Sequence, residues 1–349
     1  MLVYLTFIVL LSISVLSLIE ERLTAKQHEY LYNGIGIILV LLAAFRPIGI
    51  DNDSETYELY FRDNDNPLYL LLVEYSFLFI AKCLRLICDD VHSIFLLYAA
   101  VGISIKFWAF KKLSPLWFLT IVAYMGNYYI LHEFTQVRAC LAASLLLIAV
   151  FPLTEGNRLK ALVIILIASV FHYSSVAMLP LLLLSNKSLT TIERIAWASI
   201  VPLAYLAFFA QISISSLPIP YIGDKIEAYE KLKDQGFLDE INVFNLVFLA
   251  KIGIYLYLLY MYDVIREHTP YITIMIKMLG LSIFSFAFFA FLPVLAFRIS
   301  ELFGIVEAVL FTYIYYTIKP DYLSKSIVIV IGISMFLINV FYNELLQTT

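Results

Sequence analysis

Four short stretches set titratable or charged side chains at the ends or breaks of apolar runs. They are Phe45-Arg46-Pro47-Ile48-Gly49-Ile50-Asp51-Asn52-Asp53-Ser54-Glu55-Thr56-Tyr57, His132-Glu133-Phe134-Thr135-Gln136-Val137-Arg138, Phe171-His172-Tyr173-Ser174-Ser175 and Phe297-Arg298-Ile299-Ser300-Glu301. A cation inside a bilayer costs roughly 2.5–3.5 kcal/mol on insertion scales, so such residues face a cavity, a partner or a substrate. Arg46, Arg138 and Arg298, brought from separate helices, suit a phosphate-bearing lipid, because each guanidinium offers a bidentate, charge-assisted fork to phosphate oxygens. Asp53, Glu133 and His132 are the candidate general bases for a sugar hydroxyl, with His172 as a further member. Asp53 and Tyr57 are four residues apart and share a face on a short helix. Gln136 stands beside Arg138, and Ala139, Ala142 and Ala143 leave room for a substrate or a close helix.

Each stretch also has a structural reading. Arg46 can snorkel, Glu133 and Arg138 can pair in an interfacial turn, and His172 with its serines can satisfy a broken backbone. Glu301 stands at i+3 from Arg298 and can pair with it. Lys251 and Lys277 lie within apolar runs as lesser candidates for substrate contact.

The elements that must position these residues are membrane helices. The chain has 349 residues, of which 62% are hydrophobic and 14% charged. With a mean hydropathy of +0.90, a single polytopic membrane domain over 1–349 is the only architecture that fits. Runs able to span lie near 2–19, 31–46, 91–110, 115–131, 137–153, 195–212, 243–262, 271–292, 299–317 and 325–342. The fold class expected is all-α, with about ten to twelve transmembrane helices and the first run retained. A net charge of −4 offers no basic patch for nucleic acid. Cys83, Cys88 and Cys140 have neither metal spacing nor a disulfide framework and read as packing residues. No Walker loop or zinc motif is present, so neither a metal nor a cofactor is expected.

Short loops rich in Lys and Arg face the cytoplasm, and Lys111-Lys112 and Arg158 with Lys160 are the clearest of them. Segment 46–90 carries nine acidic against four basic residues and belongs outside. Its apolar run 67–88 then cannot be a full crossing and reads as an interfacial helix, with Lys82 and Arg85 snorkelling. The run 161–184 is divided by His172-Tyr173-Ser174-Ser175 into two short halves, a re-entrant hairpin that returns to the cytoplasm. Loop 213–242 then lies outside. Arg46, Arg138 and Arg298 fall at one outer level, as for a single outward-facing cavity.

The four stretches together resemble the EpsG-type branch of the Wzy polysaccharide polymerases. The matching residues are Arg46, Gly49, Asp51, Asp53 and Tyr57; Val137-Arg138-Ala139-Cys140-Leu141-Ala142; Ile167-Ala168-Ser169-Val170-Phe171-His172-Tyr173-Ser174; and Arg298-Ile299-Ser300-Glu301-Leu302-Phe303. Departures are Ala139, where the family often has Gln, and Leu302, where it often has Tyr. The resemblance implies a glycosyltransferase of the bacterial cytoplasmic (inner) membrane, its active site facing the periplasm or exterior. Such an enzyme joins undecaprenyl-pyrophosphate-linked oligosaccharide repeats into O-antigen, capsule or exopolysaccharide. It also implies a GT-C-like architecture, with a chain-length regulator and a flippase as associates in the lipid bilayer. Two rivals stay open: a lipid-linked glycan flippase, and a membrane O-acyltransferase with His172 as base.

Overall fold

The computed structural model describes residues 1–66, 69, 73–210 and 241–347. Loop 213–242 therefore lies almost wholly outside the described residues. Among those described, the regular structure is helical, and one isolated β-bridge joins Asp51 to Leu346.

The first helix, α1 (Leu2–Ile19), is apolar throughout; its buried hydroxyls return to carbonyls one turn back, as in Ser14 Oγ to Leu10 O at 2.8 Å. Helix α2 (Ala25–Ala44) opens on a reciprocal cap between Thr24 and Gln27 and stops short of Pro47. Two short helices follow among the described residues, α3 (Ser54–Arg62) and α4 (Tyr75–Arg85). Helix α5 (His92–Leu113) returns through the molecule, and α6 (Trp117–Tyr124) passes directly into a π-helix, Met125–Thr135. Helix α7 (Val137–Glu155) ends at Gly156, whose φ of 78° is the left-handed cap that suits glycine. Next come α8 (Arg158–Phe171) and a 3-10 helix, Tyr173–Leu183, separated by His172 in an extended conformation.

The second half contains α9 (Thr191–Ala198), α10 (Ile200–Phe209), α11 (Leu246–Tyr260) and α12 (Tyr262–His268). It continues with α13 (Ile272–Phe288), α14 (Pro293–Gly304), α15 (Glu307–Leu310) and a 3-10 turn, Phe311–Tyr316. Helix α16 (Asp321–Phe341) brings the chain back to the segment that follows α2, where Leu346 bridges Asp51.

Among the described residues five helical stretches are long and apolar enough to cross a membrane, and six when the bent pair α11–α12 counts as one. The protein is thus an all-α polytopic membrane protein. The other expected runs are helical too, but 115–131 and 299–317 are broken and 271–292 is short. These three are largely buried within the bundle. Irregular backbone survives at membrane depth only where protein, not lipid, surrounds it. The π-helix shows how this is done: Asn339 Nδ2 on α16 donates to Gly126 O at 3.0 Å and Asn127 O at 3.3 Å. The helices meet so closely here that a Cβ on Gly126 would fall 2.3 Å from Gly332 O.

The two faces inferred from charge each hold together. On one, Glu29 pairs with Lys111 at 2.5 Å and Glu21 with Lys325 at 3.0 Å. On the other, His92 Nε2 reaches Arg46 O at 3.0 Å and Gln347 N donates to Ile50 O at 2.7 Å. In segment 67–88, of which 67, 68 and 70–72 lie outside the described residues, α4 spans Tyr75–Arg85, and its eleven residues are too few to cross. Lys82 and Arg85 bond Asp65 and Asp89 at 2.7 and 3.0 Å, so neighbouring carboxylates hold these cations that were expected at headgroups. Cys83 and Cys88 are exposed on that helix and its end, a correction to their reading as packing residues; Cys140 is buried.

The run 161–184 does turn back. Helix α8 and the 3-10 helix pack against each other, and Asn186 Nδ2 donates to Thr154 O at 3.0 Å, beside the start of the hairpin. Cysteines introduced at the exposed positions Lys160 and Ser188, in a Cys83→Ser/Cys88→Ser background, should react with an impermeant maleimide from the same, cytoplasmic side. Labelling from opposite sides would make 161–184 a single crossing.

Candidate functional site

The site is built on a turn that Arg46 and Asp51 lock. Arg46 is fully buried, its Nε 2.8 Å from Asp51 Oδ2, while its other nitrogens donate to Ala43 O at 2.7 Å and Phe134 O at 2.8 Å. Its guanidinium carbon also sits 3.8 Å from the centre of the Phe95 ring. The other oxygen of Asp51 accepts from the backbone N–H of Asp53 and Ser54 at 3.1 and 2.9 Å, which starts α3. Gly49, with φ of 82°, lets the chain make this turn. Leu346 and Gln347 pin the turn from behind through the bridge to Asp51 and the bond to Ile50 O. Arg46 therefore holds the site's backbone together and cannot form an open phosphate clamp, because its donors are already bound to protein.

What this turn presents is Asp53. Its carboxylate has no hydrogen-bond partner among the described residues and is partly accessible. Burial raises its pKa above the ordinary aspartate range and the neighbouring Asp51 adds to the rise, while Arg138, Arg298 and Arg46 pull against it. One turn on, the buried Tyr57 ring lies 5.7 Å from the Arg138 guanidinium carbon.

Arg138 opens α7 where the π-helix ends, and its partner is a residue the sequence reading passed over. Glu74, just before α4, is buried and takes an ion pair from Arg138 NH1 on one oxygen. Its other oxygen lies 3.2 Å from His172 Nδ1 and accepts the Tyr173 N–H at 3.1 Å. Burial pushes the Glu74 carboxyl up, but His172 and Arg138 outweigh it and hold the group at about 2. One signal was present in the sequence: Glu74 is a lone acid within the apolar run 67–88. Arg138 Nε is left buried and without a partner among the described residues, as is His172 Nε2. Arg298, on α14, is half-buried with no hydrogen-bond or ion-pair partner among the described residues, and it bears on both Asp53 and His172.

The structure thus brings Asp53, Tyr57, Arg138, His172 and Arg298 together and adds Glu74. Gln136 lies against Glu301. The expected Arg298–Glu301 pair is absent among the described residues, and Glu301 Oε2 is buried without a partner. Glu133 is directed elsewhere, into the core, where it accepts from Lys106 Nζ and Cys140 Sγ, both at 2.6 Å, and from the Tyr124 hydroxyl. Both Lys106 and Glu133 side chains have zero exposure, so Glu133 is placed as a structural ion-pair member and not as an accessible base. His132 is also fully buried, against the Tyr128 ring at 5.2 Å, with neither ring nitrogen bonded. Lys251 pairs with Glu307 and donates to Ser282 Oγ at 2.9 Å, while Lys277 donates to Ser185 O.

In comparison with known proteins, the model described as the EpsG family fits residues 29–348. No curated protein and no solved structure matches.

Breaking a buried pair by removing one partner costs about 3–5 kcal/mol, because the other charge is stranded. Lys106→Met alone should therefore unfold at markedly lower temperature in detergent, and Lys106→Met/Glu133→Gln should recover most of that loss. The double variant should also keep its activity. A folded double variant without activity would return Glu133 to the chemistry.

Proposed function

Because the chain belongs to the EpsG family, we propose that it is a polysaccharide polymerase that joins lipid-linked repeat units at the outer face of the cytoplasmic membrane. The growing chain, held on one polyprenyl pyrophosphate, passes to a hydroxyl of an incoming lipid-linked repeat. The bond between sugar C1 and the pyrophosphate oxygen breaks as the bond from C1 to the acceptor oxygen forms. Arg138 and Arg298 stabilise the negative charge that builds on the departing pyrophosphate. Asp53 takes the proton of the acceptor hydroxyl. Tyr57 and Gln136 flank the substrate, and Glu74 with His172 keeps the Arg138 guanidinium in place.

One observation carries this reading: Asp53, a carboxylate without a partner among the described residues, lies within the field of Arg298, likewise without one among them, and of Arg138, whose Nε bonds none of them. A flippase would need open cationic groups at several depths. The deeper charges here, Lys106 with Glu133 and Lys251 with Glu307, are instead closed on each other.

Arg138→Ala should abolish polymer while the protein stays inserted, and cells should display single unpolymerised repeats. Arg138→Lys should rescue only poorly, since an ammonium cannot supply the fork. Near-normal polymer from well-expressed Arg138→Ala would overturn the assignment, and loss of the single repeats as well would favour the flippase.

The base makes a separate prediction in pH. Asp53 acts as a base only when deprotonated, and its raised pKa places the acid limb of the kcat/KM profile above the ordinary aspartate range. Activity should rise with pH through that limb. Asp53→Asn should remove the limb and lower the rate by roughly 10²–10⁴-fold. A near-wild-type rate in this variant would assign the base elsewhere.

A further inference from the structure

A lipid carrier bound at Arg138 must have a way for its hydrocarbon chain to stay in the bilayer. Among the apolar grooves that reach the surface of the described bundle, a pair can be compared. One, of about 350 Å³, lies between α4 and the hairpin of α8 with the 3-10 helix, lined by Tyr75, Ser76, Phe79, Val170 and Tyr173. The other, of about 460 Å³, runs between α2 and α5 along Gly36, Val40, Ala100 and Phe107 to Lys111.

Their polar ends differ. The α2–α5 groove ends at Lys111, which Glu29 already neutralises at 2.5 Å. Glu29 stands seventeen residues before Arg46, so that end is roughly 25 Å from the site at 1.5 Å per helical residue. The α4–α8 groove ends at the site itself. Tyr173, which lines it, gives its N–H to Glu74, and Glu74 holds Arg138. Val170, on the opposite wall, is two residues from His172, and Ser76 Oγ ties α4 to Val170 O at 2.6 Å across the floor. Tyr75, Phe79, Val170 and Tyr173 are all exposed, with no element over them among the described residues.

We propose that the α4–α8 groove receives the first isoprene units of the polyprenyl chain whose pyrophosphate sits at Arg138. The inference rests on the polymerase reading for the identity of the carrier, and on the groove's position for where the carrier lies. A pyrophosphate at the guanidinium and an apolar chain along Phe79 and Val170 satisfy both ends of one amphipathic molecule. The interfacial helix α4 then serves as one wall of the lipid's entry path, and the hairpin as the other.

The test uses undecaprenyl pyrophosphate with a diazirine in the isoprene unit next to the phosphate, photolysed with the purified full-length protein and mapped by mass spectrometry. Label should appear on Phe79, Val170 or Tyr173 and be competed by the unmodified lipid. Val170→Trp, which fills the groove from an exposed position, should weaken that label. It should also raise KM for the lipid-linked repeat severalfold with kcat little changed, the pattern of lost uniform binding. Competable label on Gly36, Val40 or Ala100, or an unchanged KM in Val170→Trp, would overturn the proposal. A wild-type protein that polymerises yet labels elsewhere would overturn the groove alone. One that labels in the groove yet makes no polymer would keep the groove and overturn the polymerase reading.

Discussion

A carboxylate removed from water stays charged only where cations and N–H donors meet it. Glu74 is such a carboxylate, and the candidate site depends on how it is met. Arg138 comes from α7, His172 from the break in the hairpin and the Tyr173 N–H from the start of the 3-10 helix. The segment between α2 and α5, the bundle and the hairpin are therefore fastened at one point. Removing the charge of Glu74 would leave Arg138 free to swing and the hairpin tip without its acceptor. The arrangement also explains why Arg138 is oriented yet not exhausted, since its Nε remains unbonded.

A second lock sits beneath the first. Arg46 and Asp51 are both buried and form a pair whose remaining atoms are taken up by backbone groups, so neither charge is stranded. The C-terminal residues Leu346 and Gln347 add a backbone clasp to the same turn. The π-helix meets it through Phe134 O and is itself held by Asn339. A π-helix is rare, and its occurrence directly before Arg138 and Gln136 fits the tendency of such segments to lie at functional sites.

Much of this was legible in the sequence. The all-α membrane class follows from composition, and the hairpin from a polar turn inside an apolar run. The approach of Arg138 and Arg298 to the Asp53 turn follows from helix ends at one outer level, whereas the place of His172 beside them depends on Glu74 and was not legible. What was not legible depends on partners distant in the chain. Glu133 looked like a base beside Arg138, but the π-helix turns it inward to Lys106, twenty-seven residues earlier. Arg46 looked like part of a clamp until Phe134 O and Asp51 were seen to occupy it. Glu74 gave only the weak signal of one acid among apolar residues, and the Leu346 bridge gave none, because backbone pairing leaves no mark on side-chain pattern.

The central claim is that this chain catalyses glycan transfer between two lipid-linked repeats with no other protein present. It is tested most directly by giving the purified protein, in proteoliposomes, a single defined polyprenyl-pyrophosphate-linked repeat and resolving the products by size. The account predicts a ladder of lipid-linked oligomers that lengthens with time and releases one polyprenyl pyrophosphate for each bond formed. Movement of the intact repeat from one leaflet to the other, with no ladder and no released pyrophosphate, would contradict it.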